Sequence, residues 1–313
     1  MRDLFEIQRD LQDTHAALFR MESALAKDAN AKYPSLQLTI KGLRRRQQDL
    51  EAEFLRTANR RGQDVCSYRL FGAELTPTID GLAKALGSFQ SLFTSIYTAI
   101  KFGPRDRTRS SAAVTEATSF RFGYIFPGSL GVVFTLPNDR LLPGVKSELD
   151  ESMTVLRQIS KADSPEKIAS FVKDLGEAPI RATYRWAHNH AESSLGANIE
   201  WRRDEEIKES FLVQPVELER LKNMIDVSGA ETVETITVRG LLVAVNSVRR
   251  TFHLVTEDTD TDIRGRFKDA INIDHTVELP VKYIATIQKT TIIQYAAEQP
   301  DEIYLLLKLE PFS

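Results

Sequence analysis

The sequence is short of the residues that usually announce chemistry. It holds a single cysteine, Cys66, which excludes an internal disulfide framework and a cysteine-built zinc site and suits a reducing compartment. No apolar run reaches the roughly 18 residues of a membrane span, and the opening MRDLFEIQRDLQD carries charges where a signal peptide needs an apolar core. The expectation is therefore a cytoplasmic protein with no membrane partner. Neither sign of charge is in excess, with 41 basic against 44 acidic residues, so only local patches can nominate a polyanionic partner. A phosphate-cradling glycine loop, a Gly-x-Ser-x-Gly elbow and a carboxylate set spaced around a lysine are all missing. The chain thus carries no catalytic signature and implies no cofactor.

What it has first is helical periodicity. Leu4, Ile7, Leu11, Thr14, Leu18, Met21 and Leu25 alternate three and four apart, as do Leu36, Ile40, Leu43, Gln47, Leu50 and Phe54. That spacing keeps one helix stripe facing a partner. Tyr33-Pro34-Ser35 lies between them, with proline disfavouring helix in the residue before it and serine able to cap the next start. The pattern predicts an antiparallel coiled-coil hairpin over residues 2–28 and 35–61. Its seam pairs Leu11 with Leu50, Thr14 with Gln47 and Leu18 with Leu43, so the two polar seam residues meet and penalise slipped registers. A helix pair has little core of its own. It must pack on the body of the protein, on the third stripe Ile79, Leu82, Leu86, Phe89, Phe93, Ile96 and Ile100, or on another copy; the last makes Leu11, Thr14, Leu18, Leu43, Gln47 and Leu50 candidate assembly residues of a homo-oligomer.

The middle of the chain reads as an α+β domain of about four strands. Residues 118–136 form two β-rich runs around Pro127-Gly128-Ser129, the composition of a hairpin turn. Further strands are predicted at 64–71 and 196–201, with helices over 76–102, 144–161 and 164–193. Ser164-Pro165 provides a cap and a first-turn proline for the last of these.

Three groups of residues could carry chemistry. His188, His190 and Glu192 are the closest set of metal-capable side chains, but helical residues two apart point about 200 degrees apart, so the two histidines cannot share an ion on a helix. The run Glu257-Asp258-Thr259-Asp260-Thr261-Asp262 lacks the glycine and closing glutamate of a calcium loop. The arginines are more suggestive. Arg105, Arg107 and Arg109 alternate in one loop, within possible reach of Arg60 and Arg61, and Arg249, Arg250, Arg264 and Arg266 recur near the C-terminus. Guanidinium groups in clusters suit phosphate.

From residue 231 the period changes from 3.6 to 2. Five strands are predicted at 232–247, 251–257, 261–267, 276–288 and 302–310, with a helical turn at 267–271. The first is long enough to bend at Gly240 and serve both halves of a small closed barrel, SH3-like or OB-like. His253, Phe267, Lys282 and Tyr283 are the aromatic and basic candidates for a binding face there.

The resulting partition is an antiparallel helical hairpin at 1–62, a central α+β domain at 63–203, a linker with a short helix at 204–230 and a small β-barrel at 231–313. The order FPGSLGVVFTL, Ile199-Glu200-Trp201, then GLLVAVN, TFHL and IRGRF resembles uncharacterised bacterial α+β plus small-barrel proteins found near mobile-element and phage-defence genes. The resemblance covers roughly residues 118–310 and supplies no catalytic residues; it implies a regulatory or sensor component of an anti-phage system. The expected function is a non-enzymatic, oligomerising protein that recognises a protein partner through its barrel, with nucleic-acid binding through the arginines as the alternative.

Overall fold

The computed structural model describes residues 2–27, 34–72, 78–107, 110–126, 130–138, 147–203, 206–257, 261–268, 279–295 and 301–311. The chain divides into two compact units, Met1–Ile225 and Asp226–Ser313.

The first unit opens with helices α1 (Leu4–Lys27) and α2 (Pro34–Arg60). Ion pairs Arg2–Glu53, Asp10–Arg46 and Glu22–Arg44 run in opposite sequence order along the two, so they lie antiparallel. At about 1.5 Å per residue the arms extend about 36 and 40 Å. The turn between them lies outside the described residues. Thr14 is buried and Gln47 half-buried, but they do not bond each other. The Thr14 hydroxyl donates to Asp10 O at 2.7 Å and the Gln47 amide to Glu51 Oε1 at 2.8 Å, each within its own helix, because a helical threonine reaches the carbonyl four residues back more easily than a facing side chain.

Next come β1 (Gln63–Gly72), α3 (Ile79–Phe102), α4 (Ala112–Thr118), β2 (Arg121–Phe126), β3 (Leu130–Pro137), α5 (Glu148–Ser160), α6 (Pro165–Leu175), α7 (Glu177–Glu192), β4 (Leu195–Arg203), β5 (Glu206–Val213) and α8 (Pro215–Asp226). The sheet is antiparallel throughout with order β2-β3-β1-β4-β5, so β1 is central. Five strands replace the expected four, since residues 206–213, read as linker, pair with β4. The central sheet is covered on both faces. Val65 of β1 joins Leu4, Ile7, Leu11, Leu50, Phe54, Ala58, Tyr124, Phe126 and Val133 in one core beneath the helix pair. Cys66, Tyr68 and Leu70 alternate to the other side, where Tyr68 meets Phe89 of α3 at 4.3 Å between ring centroids. The third apolar helix therefore packs on the opposite face of the sheet and does not close a three-helix arrangement with the hairpin.

The helix expected over 164–193 is two helices broken at Gly176, whose φ of 83° is the left-handed region that favours glycine. The backbone of Arg105 enters the break, donating to Leu175 O and accepting from Ala178 N–H at 2.9 Å each. A Cβ at position 176 would stand 2.3 Å from Arg105 N.

The second unit contains β6 (Gly229–Asn246), β7 (Thr251–Thr256), β8 (Asp262–Phe267), β9 (Val281–Gln294) and β10 (Asp301–Pro311), closed into a barrel in the order β10-β8-β7-β6-β9. All pairs are antiparallel except β8 with β10, which is parallel. β6 serves both halves: it pairs with β9 up to Leu242 and with β7 from Gly240. Gly240 is needed at this crossing, where a Cβ would lie 2.4 Å from Val255 O. β9 runs further than the predicted 276–288, because residues up to Gln294 continue the ladder with the start of β6. The helical turn expected at 267–271 falls largely outside the described residues. Leu242, Phe252, Leu254, Ile263, Tyr283, Ala285, Ile287, Leu306 and Leu309 fill the interior.

Because Phe54 is fully buried between the helix pair and the sheet, Phe54→Ala should cost about 3–5 kcal/mol. Urea unfolding followed by tryptophan fluorescence checks this directly, as both tryptophans, Trp186 and Trp201, belong to the first unit.

Candidate functional site

Strand register brings the C-terminal arginines together. β7 and β8 pair as Thr251 with Arg266, His253 with Arg264 and Val255 with Asp262. Phe252, Leu254 and Ile263 fill the barrel, so by the alternation of a strand those paired residues share its outer face. The turn from β6 to β7 adds two more cations. There the Arg249 N–H donates to Asn246 Oδ1 at 2.8 Å, Arg250 adopts φ 54°, and the Phe267 N–H donates to Arg250 O at 3.0 Å. This last bond ties the turn to the end of β8. Arg249 and Arg250 are thereby held beside Arg266, with Arg264 two residues further along the strand.

The face is not uniformly positive. Asp262 Oδ1 lies 3.1 Å from His253 Nε2, and Oδ2 lies 3.2 Å from Arg264 Nη2. The His253 imidazole, and then Arg264, hold the Asp262 carboxyl below the usual carboxylate range. Glu257 is engaged with Lys282. Among the described residues, the Arg249 and Arg266 side chains have no acidic partner. The arrangement suits a chain of phosphates, each met by a planar fork of N–H donors. It offers little for base stacking: Phe252 is buried inside, Phe267 packs half-buried against the core, and His253 is the one outward ring on β7 or β8. Lys282 is exposed on β9, whereas Tyr283 is buried in the interior.

The other candidates are dispersed. Arg105 holds the helix break through its backbone and places its guanidinium over the Phe102 ring at 5.9 Å; Arg107 follows in the same loop and Arg109 lies outside the described residues. Arg60 donates to Thr57 on its own helix at 2.9 Å. Arg44 pairs with Glu22, and Arg45 borders a groove of about 1060 Å³ formed with Leu25, Ala26, Ile40 and Lys41 on the helix pair. His188 and His190 point to opposite sides of α7. His188 Nε2 pairs with Glu192 at 3.2 Å, while His190 is fully buried. No group of three metal-capable side chains occurs among the described residues. Of the acidic run, residues 258–260 lie outside them. Leu11, Leu18 and Leu50 of the assembly set are buried within this chain, with Thr14; Leu43 and Gln47 are half-buried.

Sequence reasoning missed the buried polar groups. The Tyr68 hydroxyl donates to His190 Nε2 at 2.7 Å and accepts from the Trp186 indole N–H at 2.8 Å, while His190 Nδ1–H donates to Leu195 O at 3.1 Å. Arg203 joins Asp64 and Asp150, the latter also accepting from Trp201 Nε1 at 2.9 Å. His15 on α1 reaches Ile125 O of β2 at 3.0 Å. Isolated polar residues among apolar ones were the only sequence signal for these, and apart from Leu195 their partners are 51 to 139 residues away.

Burial pushes His190 down to about 4 from an ordinary 6.5. Between those values the unfolded chain binds a proton that the folded chain refuses, so stability is complete above pH 6.5 and falls as pH drops towards 4. The loss should be about 3 kcal/mol. Urea unfolding of the first unit across this range should show it, and a His190→Phe variant should give a flatter profile.

Comparison with known proteins adds no relative: no family model, no curated protein and no solved structure matches this chain.

Proposed function

We propose that this chain is a nucleic-acid-binding protein whose C-terminal barrel is of the oligonucleotide-binding type and holds the phosphate backbone of a single strand on β7 and β8. Counting the barrel strands from one to five, the order is 1-2-3-5-4 with a parallel contact between three and five. That connectivity supports a barrel of the oligonucleotide-binding type, in which the face of strands two and three and the loop joining strands one and two contact ligand. Here those are β7, β8 and the turn at 247–250. The observation that carries the reading is that Arg249, Arg250, Arg264 and Arg266 fall on this face and turn. Two of the four, Arg249 and Arg266, have no acidic partner among the described residues. Scarce stacking partners make the binding phosphate-led and tolerant of sequence.

A protein partner is the second reading, favoured by Val248 at 92% exposure and Val243 at 41% beside the same turn. Salt separates the two. Anisotropy of a fluorescein-labelled oligothymidylate of about 20 nucleotides should report binding whose log affinity falls with log salt at a slope of about −0.7 per phosphate contact. Replacing Arg264 and Arg266 together by alanine should flatten that slope by about 1.4. Absence of binding at low salt, or a slope indifferent to the double substitution, would overturn the nucleic-acid reading and leave the exposed valines.

A further inference from the structure

We propose that Asp262 is a built-in competitor for the phosphate on the barrel face, and that it sets the affinity of this surface by occupying the place of a phosphate between His253 and Arg264. The inference rests on the reading of β7 and β8 as a phosphate-binding face. Its own support is geometric.

The two Asp262 oxygens address two different groups, the His253 ring at Nε2 3.1 Å away and the Arg264 guanidinium at Nη2 3.2 Å away, as two oxygens of a bound phosphate would. His253 and Arg264 are direct cross-strand partners, while Asp262 lies one pleat away on the same face, opposite Val255. The pairing with His253 is close but poorly aligned: Nε2 makes no hydrogen bond of proper geometry among the described residues, although it is covered from solvent. An acceptor arriving along the ring N–H direction would bond better than the carboxylate does. Asp262 must move aside for it. The backbone cannot supply that movement, because the Thr256 N–H donates to Thr261 O at 3.1 Å and the Thr261 N–H to Thr256 Oγ1 at 3.0 Å, fixing the start of β8. The side chain can, being 54% exposed, as is that of Arg264 at 72%. An exposed ion pair is weak enough to be displaced by a phosphate but strong enough to lower the affinity. Arg266, two residues on, has no such carboxylate among the described residues, so an arriving strand meets an open cation beside a covered one.

The test uses the full chain and fluorescein-labelled oligothymidylate at two salt concentrations. Asp262→Asn should tighten binding about three- to fivefold, the scale of one exposed charge pair. Glu257→Gln removes an equal charge that is engaged with Lys282 and should change affinity less than twofold. In an Arg264→Ala background the gain from Asp262→Asn should shrink below twofold. Unchanged or weaker binding by Asp262→Asn overturns the inference, and so does an equal gain in Glu257→Gln or in the Arg264→Ala background. If wild type and Asp262→Asn bind equally and with salt dependence, the competitor role falls and the nucleic-acid reading stands. If the wild type does not bind at low salt, both fall.

Discussion

A β-strand sends successive side chains to opposite faces, so once register is set every residue's side is decided. Both units depend on that constraint. In β1 it sends Val65 under the helix pair and Cys66, Tyr68 and Leu70 under the helices of the far face. On that far face the buried Tyr68 hydroxyl is taken up by Trp186 and His190. In the barrel the same alternation puts Phe252, Leu254 and Ile263 inside and leaves His253, Asp262, Arg264 and Arg266 outside. The parallel contact of β8 with β10 closes the barrel.

The electrostatics of the two units differ in purpose. In the first, charges near the core are tied down: Arg203 spans Asp64 and Asp150, a geometry in which removing one partner leaves a buried charge and costs far more than the pair contributes. On the barrel face Asp262 pairs with Arg264, while Arg249 and Arg266 have no acidic partner among the described residues. A surface kept partly unpaired contributes little to folding.

Much of the architecture was legible in the sequence because it is written in period. The seam stripe of α1 and α2 is long enough to be unambiguous, and the change to period 2 after residue 231 marked the barrel and the bend at Gly240. Short or mixed signals were not legible. β5 presents only Phe211 and Val213 as buried residues among Glu206, Lys208 and Glu209, too few to betray a strand. The break at Gly176 depends on Arg105, some 70 positions away in the chain, entering it. The candidate site was half readable. The arginines of the barrel stood out as residues, but whether 264 and 266 faced water or the interior depended on register, and the carboxylate between His253 and Arg264 looked like part of an acidic loop. His190 could be separated from His188 by helical geometry alone, yet its burial against Tyr68 follows only from the packing of α7 on the sheet.

The most direct test of the central claim is hydrogen–deuterium exchange of the full chain with and without excess oligothymidylate at low salt. The account predicts slowed exchange across residues 249–255 and 262–267, with α1 and α2 unchanged. Protection confined to the helix pair or the sheet of the first unit, or no protection anywhere, would contradict it.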